Sequence, residues 1–200
     1  MDRSQITIGI TGGIGSGKSY VSAIIREKFG IPVYDCDKEA KRLTATDAEI
    51  RRKLIQLVGP ETFNGEELVR QHLADFLFGS EENARKVNAI IHPAVLRDFK
   101  QWARKQQQPI VAMESAILFE SGFNKSVDRV LFVDAPEEVR LRRAMQRDSA
   151  TEQQISARMK MQQPELHRQQ ADYVVHNSSD DDTRLLVQLT EIINQIANKQ

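Results

Sequence analysis

The sequence predicts an α/β fold: a three-layer core with a parallel sheet, an inserted helical subdomain and a helical lid. Three observations carry that expectation. First, the β-branched run Ile6 to Thr11 passes directly into Gly12-x-x-x-x-Gly17-Lys18-Ser19 and then into a stretch with Val21, Ile24, Ile25 and Phe29 at helical spacing. Second, short apolar runs recur at Ile110–Glu114, Val127–Asp134 and Ala171–Asn177, separated by helix-spaced segments, as in a doubly wound sheet. Third, Asp47 to Gln108 shows helical patterning with little strand signal, too long for an ordinary crossover between two parallel strands.

The first element sets the chemistry. Gly12, Gly13, Gly15 and Gly17 allow a loop whose backbone N–H groups turn inward, a cradle for phosphate. The N-terminus of the following helix adds partial positive charge. In this pattern Lys18 reaches the β- and γ-phosphates and the Ser19 hydroxyl ligates Mg²⁺. A bound nucleoside triphosphate with Mg²⁺ is therefore expected.

Bulk composition narrows the rest. The chain has 200 residues, enough for one domain that buries roughly 70% of its unfolded surface. Its 28 basic and 28 acidic residues balance, which gives no support for nucleic acid or an anionic membrane as main partner. One cysteine, Cys36, suits a reducing cytoplasm. A strand begins within a few residues of Met1, which leaves no room for a signal peptide, and no apolar run approaches the ~18 residues that span a bilayer. Nothing implies an obligatory protein partner.

The remaining elements follow in order. Gly30 to Asp35 reads as a turn and a short second strand, followed by a helix from Lys38 to Leu43. Ligands gather at the carboxyl ends of parallel strands, so Asp35 and Asp37 are expected at the same cleft as the glycine-rich loop; the bland reading of Asp37 is a helix cap. Ala48 to Val58 is an amphipathic helix that stops at Gly59-Pro60, and Asn64-Gly65 is a polar turn. Helices are expected at Leu68 to Phe78 and Glu81 to Ile91. His92-Pro93 should interrupt the latter, and Pro93 should open a further helix with Val95, Phe99 and Trp102 on its apolar side. Ile110 to Glu114 is a buried strand ending in a carboxylate, in the place of a Walker B acid that helps organise Mg²⁺.

Ser115 to Gly122 should form a turn and a short helix. A helix from Pro136 to Arg147 follows the Val127–Asp134 strand and carries Arg143 and Arg147 on one face, where guanidinium groups can meet phosphates. Thr151 to Arg168 is polar and helical, a flap rather than core. After the last strand, Ser178-Ser179-Asp180 should cap a helix whose Leu185, Leu186, Leu189, Ile192, Ile193 and Ile196 face the core. The expected division is a core of 1–37, 109–147 and 171–200, an acceptor-binding insertion of 38–108, and a lid of 148–170.

A phosphate-binding loop alone admits kinases, guanine-nucleotide switches and motor ATPases. Asn124-Lys125-Ser126-Val127-Asp128 has one residue too many for a guanine-reading Asn-Lys-x-Asp and precedes a strand rather than following one. A compact small-molecule kinase remains. Several features in order resemble the dephospho-coenzyme A kinase family: Thr11 to Ser19, Asp35-Cys36-Asp37 with Ala40 and Arg42, Leu68-x-Arg70, His92-Pro93, Ile117-Leu118-Phe119-Glu120, Arg143-x-x-x-Arg147-Asp148, and Ala171-Asp172 with Asn177. The resemblance covers nearly the whole chain. It implies transfer of the γ-phosphoryl group of ATP to the ribose 3′-hydroxyl of dephospho-CoA, the last step of coenzyme A synthesis.

The same resemblance implies roles for individual residues. Gly12, Gly13, Ile14, Gly15, Ser16, Gly17, Lys18, Ser19 and Tyr20 would hold the ATP phosphates, Tyr20 through its backbone N–H, and Asn177 would lie near the adenine. Asp37 would be the catalytic base, with Lys18, Arg143 and Arg147 neutralising the transferred group. Asp35, Arg70 and His92 would bind the acceptor, and Ser19 with Glu114 the metal. This chain departs from the family pattern at Glu114 and Ala116, where aspartate and proline are usual, and at Tyr20, where threonine is common. Two alternatives stay open: a kinase for a nucleoside or another small hydroxyl compound, and a non-catalytic nucleotide-binding regulatory module.

Overall fold

The computed structural model describes residues 5–178 and 182–198. In chain order the elements are β1 (Ile6–Thr11), α1 (Lys18–Phe29), β2 (Val33–Asp35), α2 (Cys36–Thr46), α3 (Ala48–Val58), β3 (Phe63–Asn64), β4 (Glu67–Leu68), α4 (Arg70–Gly79), α5 (Glu81–Arg104), β5 (Ile110–Glu114), β6 (Arg129–Asp134), α6 (Glu137–Asp148), α7 (Glu152–Lys160), α8 (Pro164–Gln170), β7 (Tyr173–His176) and α9 (Asp182–Asn198). The described residues up to Tyr34 and from Gln106 onward form one compact unit, and Asp35–Lys105 form another.

The first unit is built on a five-stranded sheet in the order β2-β5-β1-β6-β7. β5 and β6 run parallel to β1 on either side of it, and β7 runs parallel to β6. Central strands buried on both faces read as continuous apolar runs. Ile8 and Ile10 of β1, Ile110 and Ala112 of β5, and Leu131 and Val133 of β6 pack with Val21 and Ile25 of α1 and with the apolar stripe of α9. Leu185, Leu189, Ile192, Ile193 and Ile196 of that stripe are buried as expected. Leu186 is not: it lies at the edge of the stripe and is exposed. From Ser179 on, the proposed cap of α9 lies outside the described residues.

Segments 115–126 and 148–170 depart from expectation. After β5 the chain makes turns and a 3₁₀ turn at Phe123–Ser126 instead of a short α-helix. Ser115 accepts the Ile117 N–H on its hydroxyl at 3.2 Å, the kind of local side-chain bond that competes with helix formation. The polar segment after α6 is not bare flap. Ile155 and Met159 of α7 are buried in a cluster with Ala144, joined by Ile14, Leu141, Met145 and Ala150. So sparse an apolar stripe still builds a small core, because α6 supplies the other half. Thr151 and Gln154 start α7 with a reciprocal capping box.

In the second unit α5 packs against α2, α3 and α4. The predicted break at His92-Pro93 does not occur: Pro93 lies inside one continuous helix, α5. Proline in a helix interior costs ~3 kcal/mol through the missing N–H and a ring clash. Burial outweighs that cost. Val87 lies before Pro93 and Val95 and Phe99 after it, each buried on the same side, and burying such side chains contributes about 1.5–3 kcal/mol apiece. Pro93 itself faces solvent, which can hydrate the carbonyl left without its N–H. Trp102 stacks on Phe99 with ring centroids 6.1 Å apart. The expected turn at Asn64-Gly65 closes a hairpin in which Phe63 pairs with Leu68, so α4 starts at Arg70 rather than Leu68. Among the described residues, no helix is long and apolar enough to cross a membrane.

Candidate active site

The phosphate-binding loop connects β1 to α1. Its shape is held by left-handed backbone at Gly15 (φ 76°) and Gly17 (φ 88°) and by a Ser16 N–H to Gly13 carbonyl bond of 3.1 Å. Both glycines also meet neighbours that leave no room for a side chain. A Cβ on Gly15 would collide with the Arg140 carbonyl, and one on Gly17 with the Asn177 side-chain amide. No side chain caps α1, so its first N–H groups are left for an anion at the helix N-terminus. The Lys18 ammonium donates to the Gly12 carbonyl at 3.1 Å, which keeps it over the loop.

The sheet brings the Walker B position to this loop. β5 lies beside β1, with Ile10 in register with Glu114. The Ser19 hydroxyl donates to the Glu114 carboxylate at 2.7 Å, across 95 residues of chain. Mg²⁺ prefers oxygen donors and usually keeps waters and substrate phosphates as ligands. A hydroxyl and a carboxylate in contact at the foot of a phosphate cradle fit that ion. Among the described residues there is no group of three or more acidic, histidine or cysteine side chains that could hold a metal alone. The longer glutamate in place of the family's aspartate therefore still reaches the P-loop serine.

Asn177 and Arg143 meet the loop from behind. Asn177 is buried, and its side chain donates to the Ser16 carbonyl at 2.9 Å. Its backbone N–H donates to the Asp134 carbonyl, and its own carbonyl accepts from Arg143 at 2.9 Å. The Asn177 side chain thus braces the loop. Arg147 lies one helical turn further on and pairs with Asp148 through two bonds, of 2.7 and 3.1 Å. Arg158 joins the same carboxylate at 2.8 Å, and the Arg147 and Arg158 guanidiniums hold the Asp148 carboxyl down at about 2. So of the two predicted arginines, Arg143 is bonded to Asn177, which braces the loop, and Arg147 is engaged with Asp148.

Two residues around the loop escaped the sequence reading. The Arg140 guanidinium lies against Gly13, with Nε donating to the Ala135 carbonyl and a buried Nη1 that has no hydrogen-bond partner. An orphaned cationic nitrogen beside a glycine-rich loop fits an anionic ligand. The Gln162 side-chain carbonyl accepts the Ile14 N–H at 2.8 Å. Arg140 was visible only as one charge among several on a basic helix. Gln162 had no signal, being one of a pair of glutamines in a polar segment.

The predicted acceptor residues belong to the second unit. Asp35, rather than Asp37, caps α2: its carboxylate accepts the Lys38 N–H at 3.0 Å. Asp37 sits in the first turn of α2 and is exposed. Asp37 and Arg70 line one cleft of about 550 Å³, together with Lys41 and an apolar wall that includes Leu73, Leu77 and Phe78. Phe78 stands 83% exposed at this cleft, an unusual place for a large aromatic unless something covers it. Lys41 rather than Arg42 faces the cleft; Arg42 pairs with Glu39 and Asp98. His92 is half-buried in α5, and burial lowers its pKa below the ordinary histidine value. It does not line the cleft, although its neighbour Ile91 does.

The sequence comparisons agree on one family. The family profile described as dephospho-CoA kinase matches residues 6–182. The dephospho-CoA kinase of Bacteroides fragilis is 46% identical over 190 residues, covering 94% of this chain and 91% of that protein. The enzyme of the same name from Porphyromonas gingivalis is 44% identical over 199 residues, covering 98% and 96%. A crystal structure from Thermus thermophilus superimposes with a TM-score of 0.83 at 34% identity, covering 96% of this chain and 97% of that one. A strand, phosphate cradle and helix in register with a carboxylate strand are thus joined to a match over most of the length: the chain belongs to the dephospho-CoA kinase family and is a kinase.

Proposed function

We propose that this kinase transfers the γ-phosphoryl group of ATP to the ribose 3′-hydroxyl of dephospho-CoA, giving coenzyme A and ADP. The observation that carries the acceptor assignment is the cleft that holds Asp37, Lys41 and Arg70 against an apolar wall. Dephospho-CoA offers one group for each feature: a hydroxyl for the carboxylate, a diphosphate for the cations, and a long pantetheine arm for the apolar side chains. A simple nucleoside would leave the cations and much of that wall unused.

In this reading the 3′-oxygen attacks the γ-phosphorus and the bond to the β–γ bridging oxygen breaks, with ADP as leaving group. Asp37 accepts the hydroxyl proton, a modest contribution where the transition state is loose. Lys18 and the loop N–H groups stabilise charge on the β- and γ-phosphates, and Arg143 and Arg147 add charge from α6. Ser19 and Glu114 would hold Mg²⁺, which when bound would supply charge neutralisation on the phosphate oxygens. Arg70 orients the acceptor, and Asp35 acts indirectly by capping the helix that carries Asp37. The segment 148–170 acts as a lid that excludes water, since a kinase open to solvent hydrolyses ATP. The cytoplasm is the proposed location.

The test is ADP release measured with dephospho-CoA against a panel of nucleosides and other small alcohols, in wild type and Asp37→Asn. Dephospho-CoA should be preferred by orders of magnitude, and Asp37→Asn should lower kcat with ATP binding retained. Preference for a nucleoside would replace the acceptor, and nucleotide binding without turnover on any alcohol would leave a regulatory module. Full kcat in Asp37→Asn would remove the base role.

A further inference from the structure

We infer that Gln162 is a positioning residue for the nucleotide, tying the segment 148–170 to the tip of the phosphate-binding loop. The tip is attached twice at Ile14. The Ile14 side chain packs against the small core formed by Ala144, Ile155 and Met159. Its backbone N–H donates to the Gln162 side-chain oxygen at 2.8 Å. The two attachments come from different physical sources, apolar burial and a hydrogen bond, and both lead to the same few residues of α7 and the turn after it.

The geometry of that turn delivers the side chain. α7 ends at Lys160, and the Gln162 N–H bonds back to the Met159 carbonyl at 3.1 Å. Because Met159 is anchored in the apolar cluster, Gln162 has a rigid base. The same helix carries Arg158, which pairs with Asp148, and Asp148 in turn holds Arg147. The loop tip is therefore joined, through one packed contact and one hydrogen bond, to the helix whose Arg158 shares Asp148 with Arg147.

The side chain has to be a neutral acceptor. Glutamate would accept from the Ile14 N–H equally well but would set a negative charge beside the phosphates. Alanine would remove the acceptor and leave the N–H to water. Methionine keeps the volume and the packing without a strong acceptor. The three substitutions separate charge, hydrogen bond and shape.

The inference rests on the proposed reaction only for the choice of acceptor, so nucleotide binding is measured as well as turnover. ATP affinity is read by titration without acceptor, and KM for ATP, KM for dephospho-CoA, kcat and acceptor-independent ADP release are read in turnover. Gln162→Glu should weaken ATP binding roughly tenfold or more, since a unit charge within a few ångströms of a phosphate is strongly repulsive even when partly screened. Gln162→Ala and Gln162→Met should raise KM for ATP and the share of ADP released without transfer, with KM for dephospho-CoA within about twofold of wild type. Thermal unfolding of all three should match wild type closely, because Gln162 lies outside the apolar cluster. ATP affinity and uncoupled hydrolysis within twofold of wild type in both Gln162→Glu and Gln162→Ala would overturn the inference. Absence of any transfer by wild type to dephospho-CoA would instead overturn the acceptor, and the ATP titration would still decide the role of Gln162.

Discussion

Glu114 places a carboxyl group at a nearly buried strand end, where the Ser19 hydroxyl donates to it at 2.7 Å. Burying a carboxylate against one hydroxyl is costly unless a cation completes the site. Replacement of Glu114 by Gln keeps an acceptor for Ser19 and removes the charge. The Mg²⁺ concentration for half-maximal activity should then rise by roughly 10–100-fold at fixed ATP, the usual range for loss of a supporting group at a metal site. A Mg²⁺ titration that superimposes on wild type would exclude Glu114 from the metal site. At this scale the sequence identified residue types and missed their partners. Asp35 and Asp37 were legible as a pair, but which one caps α2 depended on where the extended backbone ends, and that is at Asp35. Asn177 was legible as a motif residue, but its bond to Ser16 spans almost the whole chain.

Among the elements, α5 shows where local rules lose. His92-Pro93 disfavours helix, and on propensity alone two helices were expected. The helix runs through because Val87, Val95 and Phe99 share one buried side across the proline. Replacement of the exposed Pro93 by Ala should restore a backbone hydrogen bond and relieve the ring clash, against a loss of about 0.4–1 kcal/mol from a freer unfolded chain. A net stabilisation of about 1–2 kcal/mol is expected in chemical denaturation. A destabilised Pro93→Ala would mean that a proline-shaped bend is required for packing. β1, α3 and β5 matched their sequence boundaries, because glycine, proline or aspartate marks their ends and their apolar pattern is uninterrupted. The β3–β4 hairpin escaped notice because two-residue strands carry no period to detect. The burial of α7 escaped notice because Ile155 and Met159 are few, and only α6 makes them a core.

At the scale of the molecule, the described residues of the first unit include two apolar clusters of unequal size. The larger lies between the sheet, α1 and α9; the smaller joins α6, α7 and Ile14. Ile193→Ala removes a side chain from the larger core and should cost about 2–5 kcal/mol, lowering Tm by roughly 5–15 °C. Ile155→Ala empties the smaller one. It should speed amide exchange through residues 152–160 and raise KM for ATP, with a much smaller change in Tm, since small cores open locally before the whole unit unfolds. Equal Tm losses for the two variants would show that the cores unfold as one. The order of elements, the phosphate-binding loop and the kinase chemistry were written in the linear chain, because each rests on local period, turn residues or fixed spacing. The strand order β2-β5-β1-β6-β7 was not, nor were the bonds from Ser19 to Glu114, Asn177 to Ser16 and Ile14 to Gln162. A periodic pattern reports which face of an element is buried and is silent on what covers it. Those partners are chosen only when distant segments close on one another and every buried polar group must find its bond.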